Sequence, residues 1–483
     1  MPELLLALDA GTSSVRAMLV APDGRVLATA RRRLETHYPG PGRVEQDGDA
    51  VWAACRGAIA TSFEMAGRTP LDVAAVGVTT QRASIVLWER AGSAAVAPVV
   101  IWSDLRGMTR SRVLHEAGFP VWPQVPAAKL EALLESVPDG LRRAEDGHLA
   151  WGTLDSWLVF RLTGGGAHVT DASNAWMTGY ADFDHPGTWN DALLSFQGLP
   201  DRFFPRIADS WGDLATTDAS VFGAVVPVTA LLADQPAGMI AHAALGDRGW
   251  KMTYGTSGVL MACTGAHMVS PHRTMPPEVL CRVAGRTTFA VEGMVISTGT
   301  AIDWLCHGLG LFASAEAMEA AACAVSDSGG VIFRPSLQGL GAPHGIAGAR
   351  GLMDGLTPAT QPGHVARAAL EGIAMRVREI ACTLKAAKNF ALPDALPVDG
   401  GLSANSEFLQ IQADLLGMPV RRHAVREATA YGAALAAGLG AGLLQTADLV
   451  TRAHYDREFL PRISAEEADA RYAAWAAAVQ LAP

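Results

Sequence analysis

Residues 4–30 read LLLALDAGTSSVRAMLVAPDGRVLATA. Leu4–Leu8 and Val15–Val20 are short apolar runs, and the polar segment DAGTSS, residues 9–14, separates them. A second turn signal, Pro22–Gly24, precedes a third run. Short apolar runs separated by Gly, Asp and Ser are typical of strands joined by tight turns. The stretch therefore predicts a three-stranded β-meander at one edge of a sheet.

A similar pattern occurs in the second half of the chain. Residues 250–265 read WKMTYGTSGVLMACTG, with two apolar runs on either side of Gly255-Thr256-Ser257-Gly258. The triplet at 255–257 repeats the Gly-Thr-Ser of residues 11–13, at an offset of 255 − 11 = 244 residues. A repeat of half the chain length indicates two lobes of related fold rather than a solenoid. We therefore expect two domains, residues 1–243 and 244–483.

The regions between and after these hairpins alternate helices with strands. A helix is predicted over 49–66, and a strand over 73–79 leads into Gln81-Arg82. The last third predicts a strand-to-turn segment over 396–400 and helices over 363–388, 406–416 and 427–439. Strands that alternate with helices favour the α/β class.

Composition excludes several classes of protein. The 483 residues suggest two or three domains, and 49% hydrophobic with 18% charged residues indicates a large core. The net charge of −10 lacks the basic surplus of a nucleic-acid-binding protein. No basic leader and no apolar run of membrane-spanning length is present, and the six cysteines form no CxxC pair. We expect a cytoplasmic enzyme with reduced thiols, no nucleic-acid partner and no membrane insertion.

Four common catalytic signatures are absent from the sequence. None of the four lysines follows a glycine, so the chain has no Walker A loop. The nearest approaches to GxGxxG, at Gly339 and Gly438, lack the third glycine. GxSxG and HExxH do not occur. A P-loop ATPase, a Rossmann enzyme, an α/β-hydrolase and a zinc peptidase are therefore disfavoured.

Three polar turns remain after apolar strands: residues 9–14, 255–258 and 399–405. Glycines in such turns let the backbone approach a ligand, and their N–H groups with Ser and Thr hydroxyls can bind phosphate oxygens. An Asp at a strand end can also hold hydrated Mg²⁺. Each turn alone is more simply an ordinary tight turn, but three of them, two with Asp, favour a phosphate site.

Further segments carry a resemblance to one family. They are GRVEQD (42–47), IWSDLR (101–106), GTLDSWL (152–158), ADQ (233–235) and GLMDGLTPATQPGHVARAALE (351–371). With the turn at 9–14, they make the chain resemble the FGGY carbohydrate kinases, and among these the glycerol kinases, from Leu5 to about Leu444. The resemblance implies an α/β fold of two ribonuclease H-like (actin/hexokinase-type) lobes with an interlobe cleft.

The resemblance also implies a reaction and the residues that carry it. The γ-phosphoryl group of ATP would pass, with Mg²⁺, to a primary hydroxyl of a small polyol or ketose. Asp234 matches the catalytic carboxylate, although its residue context alone favours a helix N-cap. Asp9 would hold Mg²⁺. Substrate contacts would come from Arg82, Trp102, Asp234 and Gln235. ATP contacts would come from Gly11, Thr12, Ser13, Arg16, Gly255, Thr256, Gly299, Asp303, Gly401 and Asn405.

The sequence departs from the glycerol-kinase pattern around the expected polyol site. Ala83 follows Gln81-Arg82, where glycerol kinases usually have Glu. Gln124 stands where they usually have Tyr, and Ala132 replaces a Trp. A polar pocket that loses one partner discriminates against its former ligand. We therefore expect room at Ala83 for a longer polyol or a ketose, such as a tetritol or a pentulose.

Alternative functions remain open at this point. The main rival is a xylulose- or ribulose-type kinase, although the Gln-Met-His that is usual in such kinases is absent. A non-catalytic binding protein of the actin fold is disfavoured because Asp9, Asp234 and the segment at 351–371 are retained. A filament-forming or chaperone-type ATPase does not explain the segment at 152–158. As in the family, we expect a homo-oligomer, dimer or tetramer.

Overall fold

The computed structural model describes residues 2–387 and 390–479 of the chain. Residues in the first half form strands β1 (Leu4–Ala10), β2 (Ser14–Val20), β3 (Val26–Arg33), β4 (Glu45–Gln46), β5 (Val73–Thr80), β6 (Ile85–Glu89), β7 (Val99–Val100), β8 (Leu149–Thr153), β9 (Val169–Asp171), β10 (Arg206–Ala208), β11 (Trp211–Thr216) and β12 (Pro227–Ala233). The helices of this half are α1 (Gly48–Ala66), α2 (Met108–Glu116), α3 (Leu130–Glu135), α4 (Gly140–Glu145), α5 (Leu154–Leu162), α6 (Ala172–Trp176), α7 (Asp191–Gln197), α8 (Ala219–Phe222) and α9 (Asp234–Ala241).

The second half continues the alternation. Its strands are β13 (Trp250–Tyr254), β14 (Gly258–Gly265), β15 (Pro277–Val283), β16 (Arg286–Val295), β17 (Ile332–Arg334), β18 (Leu352–Asp354), β19 (Leu396–Asp399), β20 (Val420–His423) and β21 (Tyr455–Phe459). Its helices are α10 (Gly299–Asp303), α11 (Ala315–Cys323), α12 (Pro362–Ala386), α13 (Ser406–Leu416), α14 (Ala428–Gly440), α15 (Asp448–Arg452) and α16 (Ala465–Ala478). The predicted helices agree with these bounds to within two residues, and Lys388, the predicted end of one, lies outside the described residues. The α/β class is confirmed.

The chain folds into two compact units. The first contains residues 1–241, 278–288 and 429–452, and the second contains 242–277, 289–428 and 453–483. The main change of unit therefore falls after Ala241, beside the proposed boundary at 243, but two segments of the later half belong to the first unit. None of the helices within the described residues has the length and apolar character needed to cross a bilayer.

A six-stranded sheet organises the first unit, in the order β11-β12-β5-β1-β2-β3. The meander β1-β2-β3 is antiparallel and ends at the sheet edge, as predicted. Every residue of β1 is buried, which suits a central strand, whereas Arg31–Arg33 of β3 are exposed at the edge. β1, β5 and β12 are parallel neighbours, so their carboxyl ends lie at one edge of the sheet.

Two helices pack closely around this sheet. The side chain of Asp47 caps α1 by accepting a hydrogen bond from Ala50 N at 2.9 Å. Gly77 of β5 lies against α14, where an added Cβ would come within 2.2 Å of Ala433 O. Only glycine allows that helix and strand to approach so closely.

The second unit repeats the central topology of the first. Six consecutive strands of its seven-stranded sheet follow the order β16-β14-β13-β19-β20-β21. The hairpin of β13 and β14 is antiparallel, and β13 is also parallel to β19. β1 has the same two neighbours in the first unit, an antiparallel partner in β2 and a parallel one in β5. The repeat of Gly-Thr-Ser in the sequence thus corresponds to a repeated hairpin in the structure.

Candidate active site

In the first unit, the ends of three parallel strands bring the predicted polar residues to one edge of the sheet. Asp9 of β1 is in register with Thr79 of β5, and Thr79 is in register with Leu232 of β12. Arg82 follows β5 by two residues, and Asp234 directly follows β12. Asp9, Arg82 and Asp234 are far apart in sequence, and strand register places them at the same edge of the sheet. Ligands of open α/β sheets bind at such carboxyl ends.

Asp9 and Arg16 face each other across the first hairpin. The two residues are register partners of the antiparallel pair, and Arg16 Nη1 lies 3.4 Å from Asp9 Oδ2. Asp9 is buried. Gly11 N donates to Ser14 O at 3.1 Å and closes the turn, while the Ser13 side chain is exposed. The predicted metal residue and one predicted phosphate residue thus form an ion pair at the strand ends.

Thr12 connects the first hairpin to two residues on the expected substrate side. Its hydroxyl donates to Gln81 Oε1 at 2.9 Å and accepts from Trp102 Nε1 at 3.2 Å. The sequence predicts Thr12 as an ATP contact, whereas its hydroxyl in the structure bonds with Gln81 and Trp102. Gln81 was not among the predicted site residues, although its position beside Arg82 was a signal for it.

A buried lysine supports the segment that carries Trp102. Lys129 Nζ donates to Ile101 O at 3.1 Å and to Trp102 O at 3.0 Å. Burial lowers the pKa of Lys129 to about 7. The backbone N–H of Trp102 donates to Ser84 Oγ at 3.0 Å. These bonds fix the backbone on both sides of Trp102 and so set the direction of its indole.

The three positions that depart from the glycerol-kinase pattern differ in burial. Ala83 is buried and has a φ of 58°, a left-handed conformation that a residue with a Cβ rarely adopts. Gln124 and Ala132 are both exposed. Of the three positions, only Ala83 adjoins a residue that the structure brings to the strand ends.

Arg82 and Asp234 form the centre of the candidate site. Arg82 Nε lies 3.1 Å from Asp234 Oδ1, and 11% of the Arg82 side chain and 30% of the Asp234 side chain are exposed. Asp234 begins α9, and its Oδ1 also accepts from Gln235 N at 2.9 Å. Gln235 Nε2 lies 3.3 Å from Asp234 Oδ2. The carboxylate is thus oriented by two neighbours while part of it stays accessible.

Sequence reasoning missed a carboxylate that binds Arg82 from a distant part of the chain. Arg82 Nη1 donates to Glu278 Oε2, and the Glu278 side chain is only 7% exposed. Glu278 lies 196 residues after Arg82 and belongs to β15. No local sequence pattern marks it, because the contact arises from the return of residues 278–288 to the first unit.

Hydrogen bonds behind the site fix the residue that precedes Asp234. Ala233 N donates to Ser173 Oγ at 2.9 Å, and Ser173 Oγ donates to Asp171 Oδ2 at 2.8 Å. Burial raises the pKa of Asp171, against the lowering effect of the N–H groups of Asn174 and Ser173. The start of α9, and with it Asp234, is therefore held by a buried network.

In the second unit, the predicted loop at Gly255 and Thr256 is bound to the start of α10. Thr298 Oγ1 donates to Gly255 O at 2.8 Å, and Gly299 N donates to the same oxygen at 3.0 Å. Thr300 N donates to Thr256 O at 3.1 Å, and the Thr256 side chain is exposed. Gly255, Thr256 and Gly299 thus form one compact turn.

A methyl group at Gly299 would disrupt that turn. Its Cβ would come within 2.7 Å of Gly255 O, which is a backbone atom and can move only if the turn itself shifts. We expect Gly299→Ala to lower the free energy of unfolding by about 1–3 kcal/mol. Urea titration followed by fluorescence measures the change. Gly348→Ala is the matched control, because an added Cβ there meets no atom within 4 Å, and equal stability of the two variants would contradict the expectation.

The other predicted residues of the second unit lie at helix ends. Asp303 is the last residue of α10 and is exposed. Gly401 opens a short 3₁₀ segment, Gly401–Ala404. Asn405 is the N-cap of α13, and its Oδ1 accepts from Phe408 N at 2.7 Å. The structure therefore gives Asn405 a structural role that the sequence analysis had not assigned to it.

Four buried polar atoms at the strand ends of the first unit have no hydrogen-bond partner among the described residues. They are Ser14 Oγ, Thr79 Oγ1, Thr80 Oγ1 and Gln81 Nε2. Buried polar groups without a partner are costly and usually mark a place for water or a ligand. Within residues 2–387 and 390–479, no three His, Cys, Asp or Glu side chains are grouped as a metal site.

Both halves of the chain match domains of a known protein family. Residues 4–241 match the N-terminal domain, and residues 250–441 the C-terminal domain, of the FGGY family of carbohydrate kinases. The chain is 41% identical to the glycerol kinase of Aromatoleum aromaticum over 490 aligned positions, and 39% identical to that of Thermus brockianus over 488. Each alignment covers 99% of this chain and 98% of the relative.

A solved structure supports the fold independently. The crystal structure of Plasmodium falciparum glycerol kinase with ADP matches with a TM-score of 0.89 at 22% identity, over 99% of this chain and 98% of that chain. This fold and the two domain matches define a carbohydrate kinase. The chain belongs to the FGGY family of carbohydrate kinases. The predicted family, fold class and enzyme class are confirmed, and membership implies ATP as the phosphoryl donor.

Proposed function

We propose that the chain phosphorylates a primary hydroxyl of a small polyol or ketose, with polyols of the glycerol type as the leading substrates. The observation that carries the proposal is the partly accessible Asp234 carboxylate, held by Arg82 at the carboxyl ends of β5 and β12. Its relatives of about 40% identity, which are named glycerol kinases, support the same substrate class.

Asp234 would act as the general base. Its carboxylate accepts the proton of the attacking hydroxyl as the bond between that oxygen and the γ-phosphorus of ATP forms. The bond from the γ-phosphorus to the bridging oxygen breaks, and ADP leaves with the electron pair. Arg82, Trp102 and Gln235 would bind and orient the substrate hydroxyls, since an Arg fork can bridge two neighbouring oxygens. Positioning of this kind provides much of the rate enhancement in phosphoryl transfer.

Asp9 would hold Mg²⁺ in the first unit. A single buried carboxylate fits this ion, which keeps several of its waters and takes few protein ligands. When bound, the ion would neutralise charge on the phosphate oxygens. Arg16 and the turn of Gly11, Thr12 and Ser13 would contact phosphate.

The residues of the second unit would contact the nucleotide. Gly255, Thr256 and Gly299 form a turn with an exposed hydroxyl, which suits phosphate oxygens. Asp303, Gly401 and Asn405 are proposed as contacts to the remainder of ATP. We further propose a cytoplasmic homo-oligomer, dimer or tetramer.

A coupled assay of ADP release tests the proposal. Mg-ATP is held in excess while glycerol, erythritol, threitol, ribitol, xylitol, xylulose and ribulose are compared. We expect turnover with at least one neutral polyol above the rate of ATP hydrolysis without acceptor. Preference for glycerol would show that a Glu at position 83 is not needed. Preference for a tetritol or a pentulose would support the expected room at Ala83, and no turnover with any acceptor would overturn the proposed function.

A further inference from the structure

Glu278 contributes a second carboxylate to the candidate site. It binds the same guanidinium as Asp234, but through a different nitrogen: Arg82 Nη1 contacts Glu278 and Arg82 Nε contacts Asp234. Both carboxylates therefore lie at the edge of one planar cation. Arg82 is largely buried, so these contacts are made in a region of reduced solvent screening.

The strand that carries Glu278 is fixed to the same network that holds Asp234. Arg282 N of β15 donates to Ser210 Oγ at 3.1 Å, and Ser210 N donates to Arg282 O at 2.7 Å. Ser210 Oγ in turn donates to Asp171 Oδ2 at 2.7 Å. Asp171 binds Ser173, which accepts from the residue before Asp234. Glu278 is thus held in a defined position relative to the proposed base.

Two carboxylates in this group share one guanidinium. Arg82 contributes one positive charge, and Asp234 and Glu278 contribute two negative charges. A substrate with its own carboxylate would add a further negative charge to this partly buried region, which is unfavourable. A neutral polyol meets no such penalty, and its hydroxyls are donors that suit an ionised carboxylate, which only accepts.

We propose that Glu278 is a substrate-binding residue that selects neutral polyols and excludes aldonic acids. Its carboxylate accepts a hydrogen bond from a substrate hydroxyl other than the one that is phosphorylated. Its charge repels an acid of the same carbon skeleton. The proposal rests on the proposed function, since it concerns the specificity of the same site.

Glu278→Gln separates the charge from the shape of the side chain. The assay compares the best neutral polyol with the aldonate of equal chain length, for example glycerol with glycerate, or ribitol with ribonate. We expect the variant to raise KM for the polyol about tenfold, the effect of one weakened charge-assisted hydrogen bond. We expect the aldonate-to-polyol ratio of kcat/KM to rise at least about tenfold, as repulsion is removed.

Two further variants distinguish charge from packing. Glu278→Asp keeps the charge and shortens the side chain, so it should keep the exclusion of aldonates while raising the polyol KM. Asp209→Asn weakens the 3.0 Å ion pair with Arg282 on the same strand, but it leaves Glu278 intact and should not change the ratio. Thermal unfolding confirms that each variant is folded.

The outcomes separate this inference from the proposed function. If the wild type phosphorylates a polyol but Glu278→Gln keeps the aldonate-to-polyol ratio within twofold, the inference is wrong and the proposed function stands. If Asp209→Asn changes the ratio as much as Glu278→Gln does, strand position rather than charge sets specificity, and the inference is again wrong. If the wild type phosphorylates a ketose but no polyol, the inference is wrong and the proposed function stands. If it phosphorylates neither a polyol nor a ketose, both are wrong.

Discussion

Asp234→Asn is expected to lower kcat by about 10²- to 10⁴-fold, the usual contribution of a general base. The amide has nearly the same shape as the carboxylate but cannot take up the proton of the attacking hydroxyl. Polyol KM should change less than kcat, because Asn can still accept from Gln235 N, which lies 2.9 Å from Asp234 Oδ1. Steady-state ADP release with the preferred polyol gives both constants.

Asp209→Asn is a matched control for this substitution. Asp209 is another carboxylate of the first unit, it pairs with an arginine, Arg282, at 3.0 Å, and 27% of its side chain is exposed. It resembles Asp234 in exposure and pairing but lies outside the proposed catalytic residues. Its kcat should equal that of the wild type. Wild-type turnover by Asp234→Asn would show that another group accepts the proton.

Arg82→Ala is expected to lower kcat/KM by about 100-fold or more, the effect of removing one partner from a desolvated charge pair. The substitution leaves Asp234 and Glu278 without their shared cation and removes a donor to the substrate. Arg82→Lys should be intermediate, because an ammonium keeps the charge but cannot bind both carboxylates through the edges of one plane. ADP-release kinetics and calorimetric titration with the polyol measure the two effects.

An exposed arginine provides the control for the loss of charge. Arg248 pairs with Asp394 at 2.8 Å on the surface of the second unit, and exposed pairs of this kind contribute little. Arg248→Ala should retain wild-type kinetics. If Arg82→Ala kept the wild-type affinity for the polyol and the wild-type kcat, Arg82 would not be a substrate-binding residue. That result would also contradict the role inferred for Glu278.

The parts of the site that depend on residues close in sequence could be predicted from the sequence. Asp9 and Arg16 flank a short polar turn between two apolar runs, and an antiparallel hairpin places such residues opposite each other. The apolar run before Arg82 predicts the strand that leads into it. The residues around Asp234 predict the start of a helix there. In each case the pattern is set by neighbours in sequence, so the periodicity of strands and helices is enough to find it.

Contacts between residues far apart in the sequence could not be predicted from such patterns. Glu278 reaches Arg82 because a hairpin from the later half returns to the first unit, and no short-range pattern encodes that return. The links from Ser210 to Asp171 and from Ser173 to Ala233 join three separate segments. Such contacts depend on the packing of whole elements, which a single sequence without aligned relatives does not specify.

The arrangement of the first unit has a consequence for how the protein is made. Its core includes α14, which packs against Gly77 of β5, and its candidate site includes Glu278. When the ribosome has completed residue 241, the nascent chain still lacks both. The first unit can be completed only after residue 452 has been synthesised. The N-terminal half therefore lacks part of its core and one residue of the candidate site until most of the polypeptide has been synthesised.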